Sequence, residues 1–211
     1  MTARLVVLAS GSGSNLQAII DACERNRIDA SVAAVFSDRD GAFALERADR
    51  HGILSFHFSP SRAETRRAYD QQLADAVEAM RPDWVVLAGW MRILTSAFLD
   101  RFPSRVLNLH PARPGELAGV GAIRRAFEEH AAGLRTTTGA MVHLVPDERV
   151  DAGPVLRSVD IPIRSTDALA DLEARVHAVE HELLVDVLID LCSDSPSLLP
   201  SHSASFSEVR T

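Results

Sequence analysis

The residues with the clearest chemical potential are an amide, an imidazole and a carboxylate. Asn108-Leu109-His110-Pro111 closes an apolar run, and Asp151-Ala152-Gly153-Pro154 forms a turn later in the chain. Residues i and i+2 of a strand share a face, so Asn108 and His110 can point into one pocket. A carboxylate beside that imidazole favours its protonated form and fixes its orientation. Such a set can stabilise an oxyanion and move a proton. Asp147 and Glu148 crowd the same loop as Asp151. Of the three, only Asp151 is followed directly by the rigid Ala-Gly-Pro turn, which can hold its side chain inward.

The other seven histidines compete poorly. His51, His57, His130 and His202 have no supporting context and read as surface or edge residues. His143 alternates with Met141 and Val145 in a strand pattern, as a buried structural residue or a support for other site residues. His177 and His181, at i and i+4 on a helix, have metal-compatible spacing, but no third ligand accompanies them, so no metal is expected.

Two further segments suit ligands. Ser10-Gly11-Ser12-Gly13-Ser14-Asn15 lies between an apolar strand and a helix. Small residues allow close backbone approach, and a helix N-terminus offers free N–H groups to an anion such as a phosphate. Ser14 or Asn15 can cap that helix. Asp38 and Asp40 follow the next strand, where a dinucleotide fold keeps its ribose-binding acid, but Leu16 replaces the third glycine of that fingerprint. Ala88-Gly89-Trp90-Met91-Arg92-Ile93-Leu94 offers an apolar wall with one Arg, suited to a flat heteroaromatic ligand.

Strand-like and helix-like segments alternate to position these residues. Strands are expected at 4–9, 31–36, 53–58, 84–88 and 106–109, and helices at 16–25, 43–51, 62–80 and 96–101. This alternation implies an α/β fold: a single Rossmann-like, doubly wound, mostly parallel sheet. After a helix at 122–132, strands at 136–145 and 155–163 read as an antiparallel addition in the C-terminal half. A long helix at 169–191, with Thr166 or Asp167 at its start, closes a domain of residues 1–192. Residues 193–211 hold seven Ser and two Pro and read as a disordered tail.

The 211 residues suit one well-cored domain, with 46% hydrophobic content and a mean hydropathy of +0.03. A net charge of -7 disfavours a nucleic-acid partner. All 22 basic residues are Arg, so any phosphate clamp must use Arg, His or backbone N–H groups. Cys23 and Cys192 are too isolated for a disulfide framework, and the apolar run Leu5 to Ala9 is too short for a signal peptide or membrane span. A cytoplasmic location with no membrane association is expected.

Taken together, from about Arg4 to Leu191, the segments resemble the folate-dependent formyltransferases, in particular the branch acting on glycinamide ribonucleotide in purine synthesis. The resemblance rests on Gly11-Ser12-Gly13-Ser14-Asn15-Leu16-Gln17, Ala88 to Leu94, Asn108-Leu109-His110-Pro111 and Asp151-Ala152-Gly153-Pro154, in that order. It implies that Gly13, Ser14, Asn15, Leu16 and Gln17 hold the ribonucleotide phosphate and that Glu180 binds its ribose. It further implies that Arg66, Met91, Arg92, Ile93, Leu94 and Asn108 contact the co-substrate 10-formyltetrahydrofolate. Pro146, Asp147, Glu148 and Asp151 belong to the loop that would embrace its pterin. Asn108, His110 and Asp151 would be the catalytic trio, with Asn108 and protonated His110 donating to the oxyanion. Transfer would be direct and metal-free, with small-molecule partners only, by a monomer or homodimer.

Three departures accompany the resemblance. Ala112-Arg113-Pro114-Gly115 replaces a Ser-Leu-Leu-Pro stretch, Gly121 replaces a histidine, and the loop before Asp151 is one residue longer. The acidic composition and lack of a second, basic domain disfavour a transfer-RNA formyltransferase. A formyltetrahydrofolate hydrolase usually has an additional N-terminal regulatory domain, whereas here the first strand starts at Arg4. An amino-sugar nucleotide acceptor and a non-catalytic nucleotide-binding module remain as alternatives.

Overall fold

The structure, a computed structural model, describes residues 2–193. Apart from Ser193, the proposed tail lies outside the described residues. In chain order the elements are β1 (Ala3–Leu8), α1 (Ser14–Glu24), β2 (Ala30–Ser37), α2 (Phe43–Arg50), β3 (Leu54–His57), α3 (Arg66–Ala79) and β4 (Trp84–Leu87). They continue with α4 (Ser96–Leu99), β5 (Val106–His110), α5 (Ala122–Ala131), β6 (Thr137–Leu144), β7 (Val155–Pro162) and α6 (Leu169–Cys192). The strands form one seven-stranded sheet in the order β3-β2-β1-β4-β5-β6-β7. Neighbours from β3 to β5 pair in parallel, and β6 and β7 add antiparallel, as the alternation of segments implied.

The sheet interior explains its apolar runs. Leu5 and Val7 of β1 belong to the cluster packed with α1 and α6, while Val6 and Leu8 belong to the cluster packed with α3 and α4. Successive side chains leave a strand on opposite faces, so a central strand covered on both sides must be apolar at every position. The helices follow from their buried stripes: Leu16, Ile19 and Ile20 in α1, and Leu73 and Val77 in α3. Among the described residues no helix is long and apolar enough to cross a membrane.

Three helix starts differ from expectation. Gly13 takes the N-cap position of α1 in a left-handed conformation (φ 69°), with no side-chain cap from Ser14 or Asn15. Helix α3 starts at Arg66 rather than Arg62 because Thr65 is extended and its hydroxyl accepts from the Ala68 N–H at 3.2 Å. At α6 the cap is Ala168: its N–H donates to Asp171 at 2.9 Å, whereas Asp167 is held by Arg175 and the Arg164 N–H.

The chain runs from β1 outward to β2 and β3, then returns to lay β4 on the other flank of β1. At such a reversal the connections leave the strand ends in opposite directions and open a crevice between them. The segments after β1 and β4 both line the resulting cleft, of about 540 Å³, together with the end of β5.

Candidate active site

Strand β5 delivers the first two groups. Its buried Leu107 and Leu109 face the α1/α6 side, and the pleat sends Asn108 and His110 to the other face. Asn108 pairs in register with Leu87 of β4 and with His143 of β6, which places the imidazole of His143 directly across from the amide. Pro111 then ends the strand, and both side chains line the cleft.

Asp151 meets them from the loop between β6 and β7. One carboxylate oxygen accepts from Asn108 Nδ2 at 2.9 Å; the other accepts from the Gly119 N–H at 2.7 Å and lies 3.2 Å from His110 Nδ1. The Asp151 backbone is left-handed (φ 51°), a strained conformation for a non-glycine residue. Gly153 lets the turn close, since a Cβ there would lie 1.8 Å from the Leu144 carbonyl oxygen. His110 Nε2 lies 3.1 Å from the Leu117 carbonyl, itself held by the Arg125 guanidinium of α5 at 2.7 Å.

The trio is poised electrostatically by opposing effects. Burial pushes His110 below its ordinary imidazole value, while Asp151 and the Leu117 carbonyl pull it partly back. Burial pushes Asp151 up, but the Gly119 N–H and the His110 imidazole outweigh it and hold the carboxyl below its ordinary value. Both shifts favour the fold above the unfolded values. His110's contribution is complete above about 6.5 and is lost as pH falls through its lower folded value. Asp151 follows the same sense below 3.8. The melting temperature of the unsubstituted protein should therefore fall relative to that of His110→Gln between about pH 7 and pH 5. Parallel curves would contradict this account.

The N-terminus of α1 lines the cleft through Gly13, Ser14 and Asn15. Its first N–H groups have no partner within the helix and suit an anion. Gly13 is required twice over, by its positive φ and because a Cβ would meet Ala44 Cα at 2.8 Å. Glu180 of α6 is 4% exposed and lines the same cleft. Its carboxylate bonds His177 Nδ1 at 2.7 Å and thereby holds that imidazole above its ordinary value.

The segment after β4 also walls the cleft. Met91 and Ile93 expose apolar surface to the cleft, Leu94 is buried, and the Arg92 guanidinium stacks 4.9 Å over the Tyr69 ring. Ser10 ties the loop after β1 to the segment after β4: its hydroxyl donates to Asp38 at 2.6 Å and accepts from the Met91 N–H at 2.9 Å. Asp38 therefore serves inside the fold and does not line the cleft, unlike the ribose-binding acid of a dinucleotide site.

Most residues singled out in the sequence converge here. Gly13, Ser14, Asn15, Met91, Arg92, Ile93, Leu94, Asn108, His110, Asp147, Glu148, Asp151 and Glu180 all line the cleft. Leu16, Gln17, Arg66 and Pro146 do not. Leu16 is fully buried, Gln17 bonds Arg47, Asp21 and His51, and Pro146 is exposed. Arg66 pairs with Glu148, whose other oxygen accepts from the Ser96 N–H at 3.2 Å. His177, assigned no site role from the sequence, also lines the cleft; its i, i+3 spacing to Glu180 is the pattern that could have marked it. Among the described residues, no group of three or more His, Cys, Asp or Glu side chains is placed to hold a metal ion.

Comparison with known proteins is consistent with this geometry. Residues 3–188 match the formyl transferase family. The phosphoribosylglycinamide formyltransferase of Escherichia coli strain K12 is 43% identical over 183 residues, covering 85% of this chain and 82% of that protein. The enzyme of the same name from Schizosaccharomyces pombe is 44% identical over 207 residues, covering 92% and 100%. A crystal structure of glycinamide ribonucleotide transformylase 1 from Geobacillus kaustophilus superposes with a TM-score of 0.85 at 38% identity, over 92% of this chain and all of that one.

Proposed function

This chain belongs to the formyl transferase family, and on that premise we propose that it transfers the formyl group of 10-formyltetrahydrofolate to the amine of glycinamide ribonucleotide in the cytoplasm. The observation carrying this reading is the Asn108–His110–Asp151 cluster, which shares one cleft with an anion-ready helix end and an apolar wall. The phosphate of the acceptor fits the N-terminus of α1, and Glu180 is suited to a ribose hydroxyl. The pterin fits against Met91, Ile93 and the loop carrying Asp151.

In the proposed reaction the amine nitrogen bonds to the formyl carbon, and the carbonyl electron pair moves to oxygen. Asn108 and His110 donate hydrogen bonds to that oxyanion. In the free protein the Asp151 carboxylate accepts from Asn108 Nδ2 and sits against His110 Nδ1, so its oxygens mark where negative charge is received. Collapse breaks the bond from carbon to the folate nitrogen. The proton lost by the attacking amine reaches that nitrogen through the His110–Asp151 pair and water. A release assay for tetrahydrofolate tests the reading: turnover is expected with glycinamide ribonucleotide, and turnover only with an amino-sugar nucleotide would overturn the acceptor. Ligand binding without turnover of either acceptor would favour a non-catalytic module.

A further inference from the structure

The proton inventory around Asn108 gives His143 a specific role. His143 is 1% exposed and lies on β6, opposite Asn108. Its Nδ1 lies 2.8 Å from the Leu144 carbonyl oxygen, which can only accept, so Nδ1 carries the proton. Its Nε2 lies 3.1 Å from Asn108 Nδ2, which can only donate, so Nε2 presents a lone pair. The ring is thus the neutral Nδ1–H tautomer. Asp151 Oδ1 is 3.6 Å from Nε2, too far for a hydrogen bond. The Asn108 amide bridges the two acceptors, with one N–H on each.

Both amide protons of Asn108 are therefore occupied in the free protein. One must be released before the amide can serve an oxyanion. Asp151 sits on a surface loop whose neighbours Glu148, Arg149 and Val150 are exposed, whereas His143 is locked in the sheet between β5 and β7. A surface loop moves at lower cost than a strand paired on both sides, which makes Asp151 the partner that yields its bond to Asn108. We infer that His143 is a positioning residue: it retains one Asn108 proton as an acceptor and so keeps the other aimed at the oxyanion once Asp151 withdraws. Without it the amide loses its anchor and can turn its carbonyl oxygen toward the developing negative charge.

This inference rests on the proposed formyl transfer, but its first test does not. Nitrogen-15 NMR of His143 in the unsubstituted protein should show a protonated Nδ1 and an unprotonated Nε2; a protonated Nε2 would overturn the inference whatever the activity. In the formyl-transfer assay, His143→Ala should lower kcat by about 10- to 100-fold, the range for loss of geometric support beside a reacting group. KM should change little for either substrate. His143→Gln, whose side-chain oxygen can accept from Asn108, should recover most of the loss. Because His143 acts through Asn108, His143→Ala should cost little further in an Asn108→Ala background. Equal losses in both backgrounds, or an unchanged kcat, would overturn the assignment. If the unsubstituted protein shows no formyl transfer, the functional reading fails while the tautomer result still stands.

Discussion

Replacing His110 with alanine should lower kcat by about 10²- to 10³-fold, the usual effect of removing one oxyanion donor. The ring's N–H would interact with charge that exists only after the amine has attacked. Its loss should therefore reduce kcat and kcat/KM together and leave substrate binding largely intact. The surroundings make this residue hard to replace. His110 is 4% exposed, Asp151 lies 3.2 Å from Nδ1 and the Leu117 carbonyl lies 3.1 Å from Nε2. No other imidazole lining the cleft can take its place, because His143 is committed to Asn108 and Leu144, and His177 to Glu180. Steady-state kinetics on protein whose folding is verified by thermal melting would check this. A His110→Ala kcat within threefold of the parent would remove His110 from the mechanism.

Asp151→Asn should be at least as damaging, with kcat reduced by about 10³-fold, within the range for loss of a positioned acid–base group. The substitution is nearly isosteric, yet its hydrogen bonds cannot be satisfied. One carboxylate oxygen accepts from Asn108 Nδ2 and the other from the Gly119 N–H. Whichever way the new amide is turned, its NH₂ faces one of these donors. The loss of charge also removes from His110 the main influence opposing burial, which disfavours its protonated form further. Two observables follow: a lower kcat and an NMR titration midpoint of His110 below that in the parent protein. A variant retaining a tenth of parental kcat, with an unmoved His110 titration, would be incompatible with this role.

The parts of the fold visible in the sequence were those governed by local pattern. The uninterrupted apolar residues of β1 and β4, and the helical stripes of α1 and α3, are dictated by burial on one or both sides. The exit of β5 at Pro111 and the glycine-rich entry to α1 are likewise set by backbone restrictions within a few residues. Helix starts were less visible because capping depends on which conformation the preceding residue adopts. Gly13 took the position that Ser14 or Asn15 was expected to occupy, and Thr65 set a later start for α3.

Pairings between distant residues were hidden for a different reason. Nothing in the local pattern of Met141-Val142-His143 says that His143 stands opposite Asn108; that depends on the antiparallel register of β5 and β6. Asp38 looked like a ribose ligand by its place after β2, but the folded chain brings the Ser10 hydroxyl to it. Leu117 and Arg125 carried no catalytic signal, since what matters at Leu117 is a backbone carbonyl and Arg125 acts by holding it.

The sequence alone determined the composition of the candidate cluster: an amide and an imidazole on one strand face, a carboxylate beside a Gly-Pro turn, a helix end ready for an anion and an apolar wall. Strand pleat, proline exit and glycine conformation are short-range constraints, so local residue order is enough to impose them. Only the tertiary structure decided that Asp151 spans Asn108, His110 and Gly119, that His143 anchors the amide, and that His177 joins Glu180 in the cleft. Those contacts depend on strand register and on loops meeting across the sheet, where hydrogen-bond geometry to a few tenths of an ångström selects among chemically equivalent partners.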